Sequence, residues 1–137
     1  MIGSNRKNDA YIKELADKAR IFIPERVKYY AEVIGVDYGR ITIRCQKTRW
    51  GSCSSKGNLN FNCLLMLMPS EVIDYVVVHE LCHIKQMNHS KAFWKEVEKV
   101  LPNYRKSAVW LKNEGGRIMM RRNNIESLRR NKIKNLT

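Results

Sequence analysis

Three histidines and a glutamate lie within eleven residues of the chain, at His79, Glu80, His83 and His89. On a helix with about 3.6 residues per turn, His79 and His83 project from the same face, so both imidazoles can bind one metal ion. Glu80 lies about 100° around that helix, where its carboxylate can reach a water molecule beside the ion without binding the ion itself. This spacing predicts a catalytic zinc site, since zinc with three protein ligands keeps a fourth position for water.

The third ligand of such a site must come from outside the helical turn that carries the first two. His89 is the candidate, because Asn88 can adopt the left-handed conformation that ends a helix and would turn the chain back toward the ion. Ser90 then has the side chain of an N-cap for the next helix. We therefore predict one zinc ion per chain, bound by His79, His83 and His89, with Glu80 as the general base.

An ordinary amphipathic helix could carry the same short pattern without binding metal. The residues around it argue against that alternative, because positions 75–78 form an apolar run and uncharged side chains surround the second histidine. Such a helix is predicted to be buried. Burying two imidazoles and a carboxylate without a partner would cost several kcal/mol, and a metal ion removes that cost.

Composition indicates one small domain with an added basic segment. The 137 residues include 26 lysines and arginines against 13 acidic residues, which gives a formal net charge of +13. Residues 117–137 carry much of this excess, since Glu126 is their one acidic residue. We predict a catalytic domain over residues 1–116 and a basic, helical tail over residues 117–137. The tail is a candidate surface for nucleic acid or an acidic partner, although it lacks aromatic residues that would stack on bases and could equally be a solvated helix.

The four cysteines show no pattern of a zinc ribbon or a disulfide framework. Cys45, Cys53, Cys63 and Cys82 include no CxxC pair, and no secretory signal precedes them. We therefore predict reduced thiols in a cytoplasmic protein. The longest apolar run, residues 63–68, is far shorter than the roughly 20 residues that cross a bilayer, so no membrane association is expected. Nothing in the sequence indicates the oligomeric state.

Hydrophobic periodicity predicts an α+β fold. Helical patterns cover residues 8–22 and 25–34, with a break or kink at Pro24 between them, then residues 69–87 around the motif, residues 91–101 and residues 104–112. Alternating patterns predict strands at 40–46 and 59–68. We expect these strands to pair in a small antiparallel sheet packed against the motif helix and its flanking helices. Residues 45–49 or 59–66 are candidates for binding an extended substrate by strand addition.

Four segments together resemble the YgjP-like family of zinc metallopeptidases: TRWGSCS at 48–54, GNLNFN at 57–62, DYVVVHELCH at 74–83 and NHS at 88–90. The resemblance covers about residues 12–116 and places the chain near the WLM and SprT-like zincins. It implies a minimal zincin-like fold with His79, His83 and His89 as zinc ligands and Glu80 as the catalytic acid and base.

Three further residues are candidates for contacts with the substrate or the transition state. Arg49 has the guanidinium geometry that binds an oxyanion or a substrate carboxylate, but it could instead hold its loop by donating to backbone carbonyls. Tyr104 and Arg105 follow the last long helix and are candidate transition-state donors.

We therefore predict a zinc-dependent peptidase that acts on a protein or peptide substrate. The alternative is a zinc-stabilised module that binds nucleic acid or a nucleoprotein through its basic surface. A DNA-associated protease resembling the SprT-like proteins would combine the two. Binding through charge would weaken steeply with salt.

Overall fold

Residues 2–46 and 48–120 are described by the computed structural model. The elements follow in the order α1 (Ile2–Ile34), β1 (Ile41–Arg44), β2 (Gly51–Cys53), β3 (Leu59–Asn62), a 3₁₀ helix (Cys63–Leu67), α2 (Ser70–Lys85), α3 (Lys91–Val100), α4 (Tyr104–Trp110) and a π-helical turn (Leu111–Gly115). The α+β class predicted from the sequence is confirmed. Most of the basic tail, residues 121–137, lies outside the described residues, so the prediction of a helical tail stays a prediction.

The sheet is mixed, and the expected purely antiparallel pairing is wrong. Its strand order is β1-β3-β2, with β1 parallel to β3 and β2 antiparallel to β3. The difference arises because residues 51–53, for which no strand was predicted, reverse the chain once before β3 reverses it again. The central position of β3 also excludes residues 59–62 as a free edge for substrate.

The second predicted strand is shorter than expected because its last residue caps a helix. Asn62 ends β3, and its side-chain oxygen accepts a hydrogen bond of 3.0 Å from the Leu64 backbone N–H. This bond satisfies a free donor in the first turn of the 3₁₀ helix. Residues predicted as the end of a strand therefore form a helical turn that leads into Pro69 and α2.

A disulfide joins Cys45 to Cys63, and the prediction of reduced thiols is wrong for this pair. Parallel pairing matches Arg44 with Asn62 in register, so the next residue of each strand lies opposite the other. Their Cα atoms are 5.4 Å apart, within the range of ordinary disulfides. In an antiparallel hairpin of residues 40–46 and 59–68, Cys45 would lie beside the connecting turn and Cys63 farther along the partner strand. Cys53 and Cys82 are free.

Helix α1 continues through Pro24, where a break or kink was expected. Ile23 and Val27, on either side of the proline, are fully buried. Burial of each such side chain stabilises the folded protein by about 1.5–3 kcal/mol, and the two together offset the roughly 3 kcal/mol that a proline costs inside a helix. Arg26 adds two hydrogen bonds of 2.9 Å to the Asp74 carboxylate and so joins α1 to α2.

Helix α2 lies at the centre of the fold and carries the motif. It contacts α1, β2, α3 and α4, and its residues Val77, Val78 and Leu81 are fully buried. The helix begins after Pro69, as the sequence predicts. Within the described residues, no helix combines the length and the apolar character that a bilayer crossing requires. A rigid, buried helix thus presents the motif residues along one side.

Candidate active site

The three histidines converge, as their spacing predicts. His79 and His83 lie on α2, and His89 lies in the turn before α3. One ring nitrogen from each histidine lies within 4.8 Å of the other two. The Nε2 atoms of His83 and His89 are 3.1 Å apart.

The turn that brings His89 back differs from the expected one. Among the described residues, none except glycine has a positive φ, so the left-handed conformation expected for Asn88 is wrong. Instead Gln86 ends α2 in an extended conformation, with φ −136° and ψ 104°, and this residue redirects the chain. Ser90 caps α3 as predicted, since its hydroxyl oxygen accepts a hydrogen bond from the Phe93 N–H at 3.4 Å.

The same turn orients the second histidine. The Nδ1–H of His83 donates to the Gln86 carbonyl oxygen at 3.0 Å, so the Nε2 lone pair remains free for a metal. Phe93 stacks on the His83 ring with centroids 4.4 Å apart. Hydrogen bond and stacking together restrict the ring to one orientation.

The donor set fits zinc. Two nitrogens bound to a tetrahedral zinc ion at about 2.0–2.1 Å would lie about 3.3 Å apart, close to the 3.1 Å between His83 and His89. Burial, and next the neighbouring His79 and His83, lower the pKa of His89, which favours the neutral imidazole that binds metal. Three imidazoles are also a ligand type that zinc prefers.

Glu80 lies between the histidines and the sheet. Its side chain is buried, and Oε2 is 3.3 Å from His79 Nδ1. When His79 Nδ1 carries a proton, it donates to this carboxylate and its Nε2 is left for a metal. The carboxylate is therefore next to the histidines but not one of the three converging groups.

Gly51 allows β2 to approach Glu80 closely. A Cβ atom at this position would lie 3.1 Å from Glu80 Cγ and 3.2 Å from Glu80 Oε2. Sequence analysis missed this function of Gly51, because the contact joins a short strand to a helix almost 30 positions later. The signal in the sequence was a glycine inside the TRWGSCS segment.

A cleft of about 440 Å³ opens above these residues. It is lined by Arg49, Trp50, Gly51, Ser52 and Cys53 from the β2 region, by Tyr75, Val76, His79, Glu80 and His83 of α2, and by Met87, His89 and Leu111. The cleft therefore combines apolar side chains with the three histidines, the Glu80 carboxylate and one guanidinium.

The loop before β2 is anchored by Asn62. The Asn62 side-chain N–H group donates to the carbonyl oxygens of Gln46 at 2.8 Å and Arg49 at 2.9 Å. Asn62 thus holds this loop by donating to backbone carbonyls, which is the structural role that sequence analysis considered for Arg49. The exposed Arg49 side chain lines the cleft, where it can meet a substrate.

Tyr104 and Arg105 are not among the residues that line the cleft. Arg105 is exposed, and its Nε–H donates to the Tyr104 hydroxyl at 3.5 Å. Tyr104 stacks on Tyr75, which does line the cleft, with ring centroids 6.3 Å apart. Sequence analysis treated Tyr75 as part of an apolar run and missed its position one helical turn before His79.

The family model of the YgjP-like metallopeptidase domain matches residues 3–114. The chain belongs to the YgjP-like family. It is accordingly a metallopeptidase with a metal cofactor, and the resemblance inferred from the motifs is confirmed. No curated protein matches the chain significantly.

Two solved structures of archaeal metallopeptidases share the fold. The crystal structure of the zymogen of abylysin from Pyrococcus abyssi is 25% identical, has a TM-score of 0.59, and the match covers 66% of this chain and 94% of that one. The zymogen of jannalysin from Methanocaldococcus jannaschii is 23% identical with a TM-score of 0.58, over 69% of this chain and 95% of that one. At 23% identity, the similarity to jannalysin shows a shared fold alone.

Proposed function

We propose that this YgjP-like protein is a zinc-dependent peptidase, with one zinc ion per chain, that cleaves peptide bonds with Glu80 as the general base. The observation that carries the proposal is the convergence of three imidazole nitrogens within 4.8 Å of one another beside a buried carboxylate. Zinc held by His79, His83 and His89 would supply Lewis-acid chemistry, which polarises the scissile carbonyl and lowers the pKa of water to about 7.

Glu80 accepts a proton from the attacking water and then donates it to the leaving amine. Its burial beside the histidines keeps the carboxylate within reach of both groups, and the close approach of Gly51 limits the positions that the side chain can take. A single carboxylate can serve both steps, because it is protonated by the first and deprotonated by the second.

The substrate binds as an extended strand along β2. In the described sheet β2 is an edge strand, and its three residues Gly51–Cys53 line the cleft beside α2. Backbone groups of a peptide can hydrogen-bond to this edge while its side chains contact the cleft walls. Of the candidates from sequence, residues 59–66 are excluded because β3 is central and residues 63–67 form a 3₁₀ helix, whereas the candidacy of residues 45–49 stays a prediction.

Arg49 is proposed to bind a carbonyl or carboxylate oxygen of the substrate from the cleft rim. Direct transition-state contacts from Tyr104 and Arg105 stay predictions, as does the cytoplasmic location. The nucleic-acid binding module has no support from the comparisons, and most of the tail on which it depends lies outside the described residues.

The test is the substitution Glu80→Gln, with Glu71→Gln on the same helix as the matched control. Hydrolysis of a quenched fluorescent peptide library should fall at least a hundredfold in the Glu80 variant, while its zinc content stays at that of the wild type. The Glu71 variant should match the wild type in both respects. Wild-type turnover by Glu80→Gln would show that this mechanism is wrong.

A further inference from the structure

Tyr75 contributes a hydroxyl group to the cleft, although it is not one of the motif residues His79, Glu80 and His83. It lies four residues before His79, so both side chains project from the same face of α2. The two ring centroids are 5.8 Å apart in an edge-on arrangement. Tyr75 lines the cleft together with Glu80 and the histidines.

The hydroxyl of Tyr75 has no hydrogen-bond partner among the described residues, although the residue is only 6% exposed. The hydroxyls of Tyr30 and Tyr104, in contrast, are hydrogen-bonded. The buried Tyr30 donates its hydroxyl to Asp74 at 2.9 Å, and the Tyr104 hydroxyl accepts from Arg105 at 3.5 Å. Buried polar groups are nearly always hydrogen-bonded, to protein or to water, so a hydroxyl at the wall of this cleft can exchange water for an oxygen of a bound substrate.

Aromatic stacking holds the Tyr75 ring in place. Tyr104 lies nearly parallel to it, with an interplanar angle of 13°, and Trp94 in turn stacks on Tyr104 with centroids 5.3 Å apart. A ring held this way loses little entropy when its hydroxyl binds a ligand. The stack therefore gives Tyr104 a positioning function without placing it in the cleft.

The hydroxyl is a donor under all physiological conditions. A tyrosine hydroxyl has an ordinary pKa of about 10, so it keeps its proton at neutral pH. A phenol that keeps its proton can donate to an oxygen that becomes negative, and such donors in a water-poor site contribute strongly to catalysis.

We infer that Tyr75 is a catalytic residue that donates a hydrogen bond to the oxygen of the scissile carbonyl as negative charge develops there. The inference rests on the proposed peptidase function and adds a donor on α2 itself. Tyr75 forms no covalent bond with the substrate and transfers no proton to it. Tyr104 acts through it as a positioning residue.

Tyr75→Phe removes the hydroxyl and leaves the ring and its stack. We expect kcat to fall about 10²-fold to 10³-fold with KM changed less than threefold, since the lost bond exists only in the transition state. Affinity for a phosphinic peptide, which mimics the tetrahedral transition state, should fall by a similar factor in titration calorimetry. Affinity for the product peptide and the zinc content should stay as in the wild type.

Two controls separate this function from a structural one. Tyr11→Phe removes the hydroxyl of an exposed tyrosine on α1, outside the cleft lining, and should stay within threefold of wild-type kcat. Tyr75→Phe should melt at the wild-type temperature, because its hydroxyl has no hydrogen-bond partner to lose in the part of the chain that the structure describes. Wild-type kcat in Tyr75→Phe, an equal loss of kcat in Tyr11→Phe, or a clear drop in the melting temperature of Tyr75→Phe would overturn the inference.

The outcome for Glu80→Gln distinguishes a failure of the inference about Tyr75 from a failure of the proposed peptidase function. If the wild type cleaves peptides, Glu80→Gln does not, and Tyr75→Phe equals the wild type in kcat and phosphinic-peptide affinity, the peptidase stands and the inference about Tyr75 fails. If the wild type neither cleaves peptides nor binds the phosphinic peptide when zinc is supplied, the proposed function fails and the inference fails with it.

Discussion

Replacing Asn62 by alanine should both destabilise the protein and impair the cleft. The Asn62 side chain is 1% exposed and makes three hydrogen bonds, to the carbonyls of Gln46 and Arg49 and from the Leu64 N–H, at 2.8, 2.9 and 3.0 Å. At about 1 kcal/mol for each bond, Asn62→Ala should lower the free energy of unfolding by about 3 kcal/mol. A domain with a stability of about 5–15 kcal/mol would still be folded.

The matched control is Asn60→Ala, two positions earlier on β3. Asn60 is partly exposed and makes one longer side-chain bond, of 3.3 Å, to Ser52 Oγ. Urea denaturation should show a loss of at most about 1 kcal/mol for this variant. Peptide hydrolysis should fall about tenfold or more in Asn62→Ala, since the loop that carries Arg49 loses its anchor. Equal losses of stability in the two variants, or wild-type hydrolysis by Asn62→Ala, would refute the reasoning.

Two further predictions concern the close approach at Gly51 and the disulfide. Gly51→Ala adds a Cβ that must lie 3.1 Å from Glu80 Cγ, so kcat should fall about tenfold with unchanged zinc content. The control Gly116→Ala, where a Cβ meets nothing within 4 Å, should keep wild-type kcat. A fully active Gly51→Ala would show that Gly51 does not restrict the Glu80 carboxylate. Alkylation of the denatured, unreduced protein should modify two of its four cysteines, and four modified thiols would contradict the disulfide. Reduction should lower the free energy of unfolding by about 3 kcal/mol, as expected when a disulfide closes a loop of 18 residues.

The sequence was sufficient to predict the convergence of the three histidines because much of the information there is local. Two histidines one helical turn apart share a face whatever surrounds them, and the capping serine at position 90 begins the next helix in any context. Residues 70–85 form the predicted helix for the same reason. Local spacing therefore yielded three converging side chains without knowledge of the fold.

Features that depend on contacts between distant segments could not be predicted in this way. The parallel pairing of β1 with β3 required the short strand β2, whose three residues have too little periodicity to detect. The error in pairing concealed the disulfide between Cys45 and Cys63. Burial by tertiary packing also carried α1 through Pro24, against the local preference for a break or kink.

Tyr75 shows a different limit of sequence analysis. Its neighbours Val76, Val77 and Val78 form an apolar run, and an aromatic residue at its start is typical of a core. Only the cleft lining and the unpaired hydroxyl distinguish it from a packing residue. Chemistry at such a position becomes visible when the partners of each buried polar atom are known.

The most direct test of the central claim is the zinc content of the purified protein, measured by elemental mass spectrometry on the wild type and on His89→Ala. Asn88→Ala, the neighbouring residue without a ligand atom in the convergent set, is the control. The account predicts about one zinc ion per chain in the wild type and in the control, with most of it lost from His89→Ala. Zinc retained at the wild-type level in His89→Ala, or a wild type that binds none when zinc is supplied, would contradict the three-histidine site.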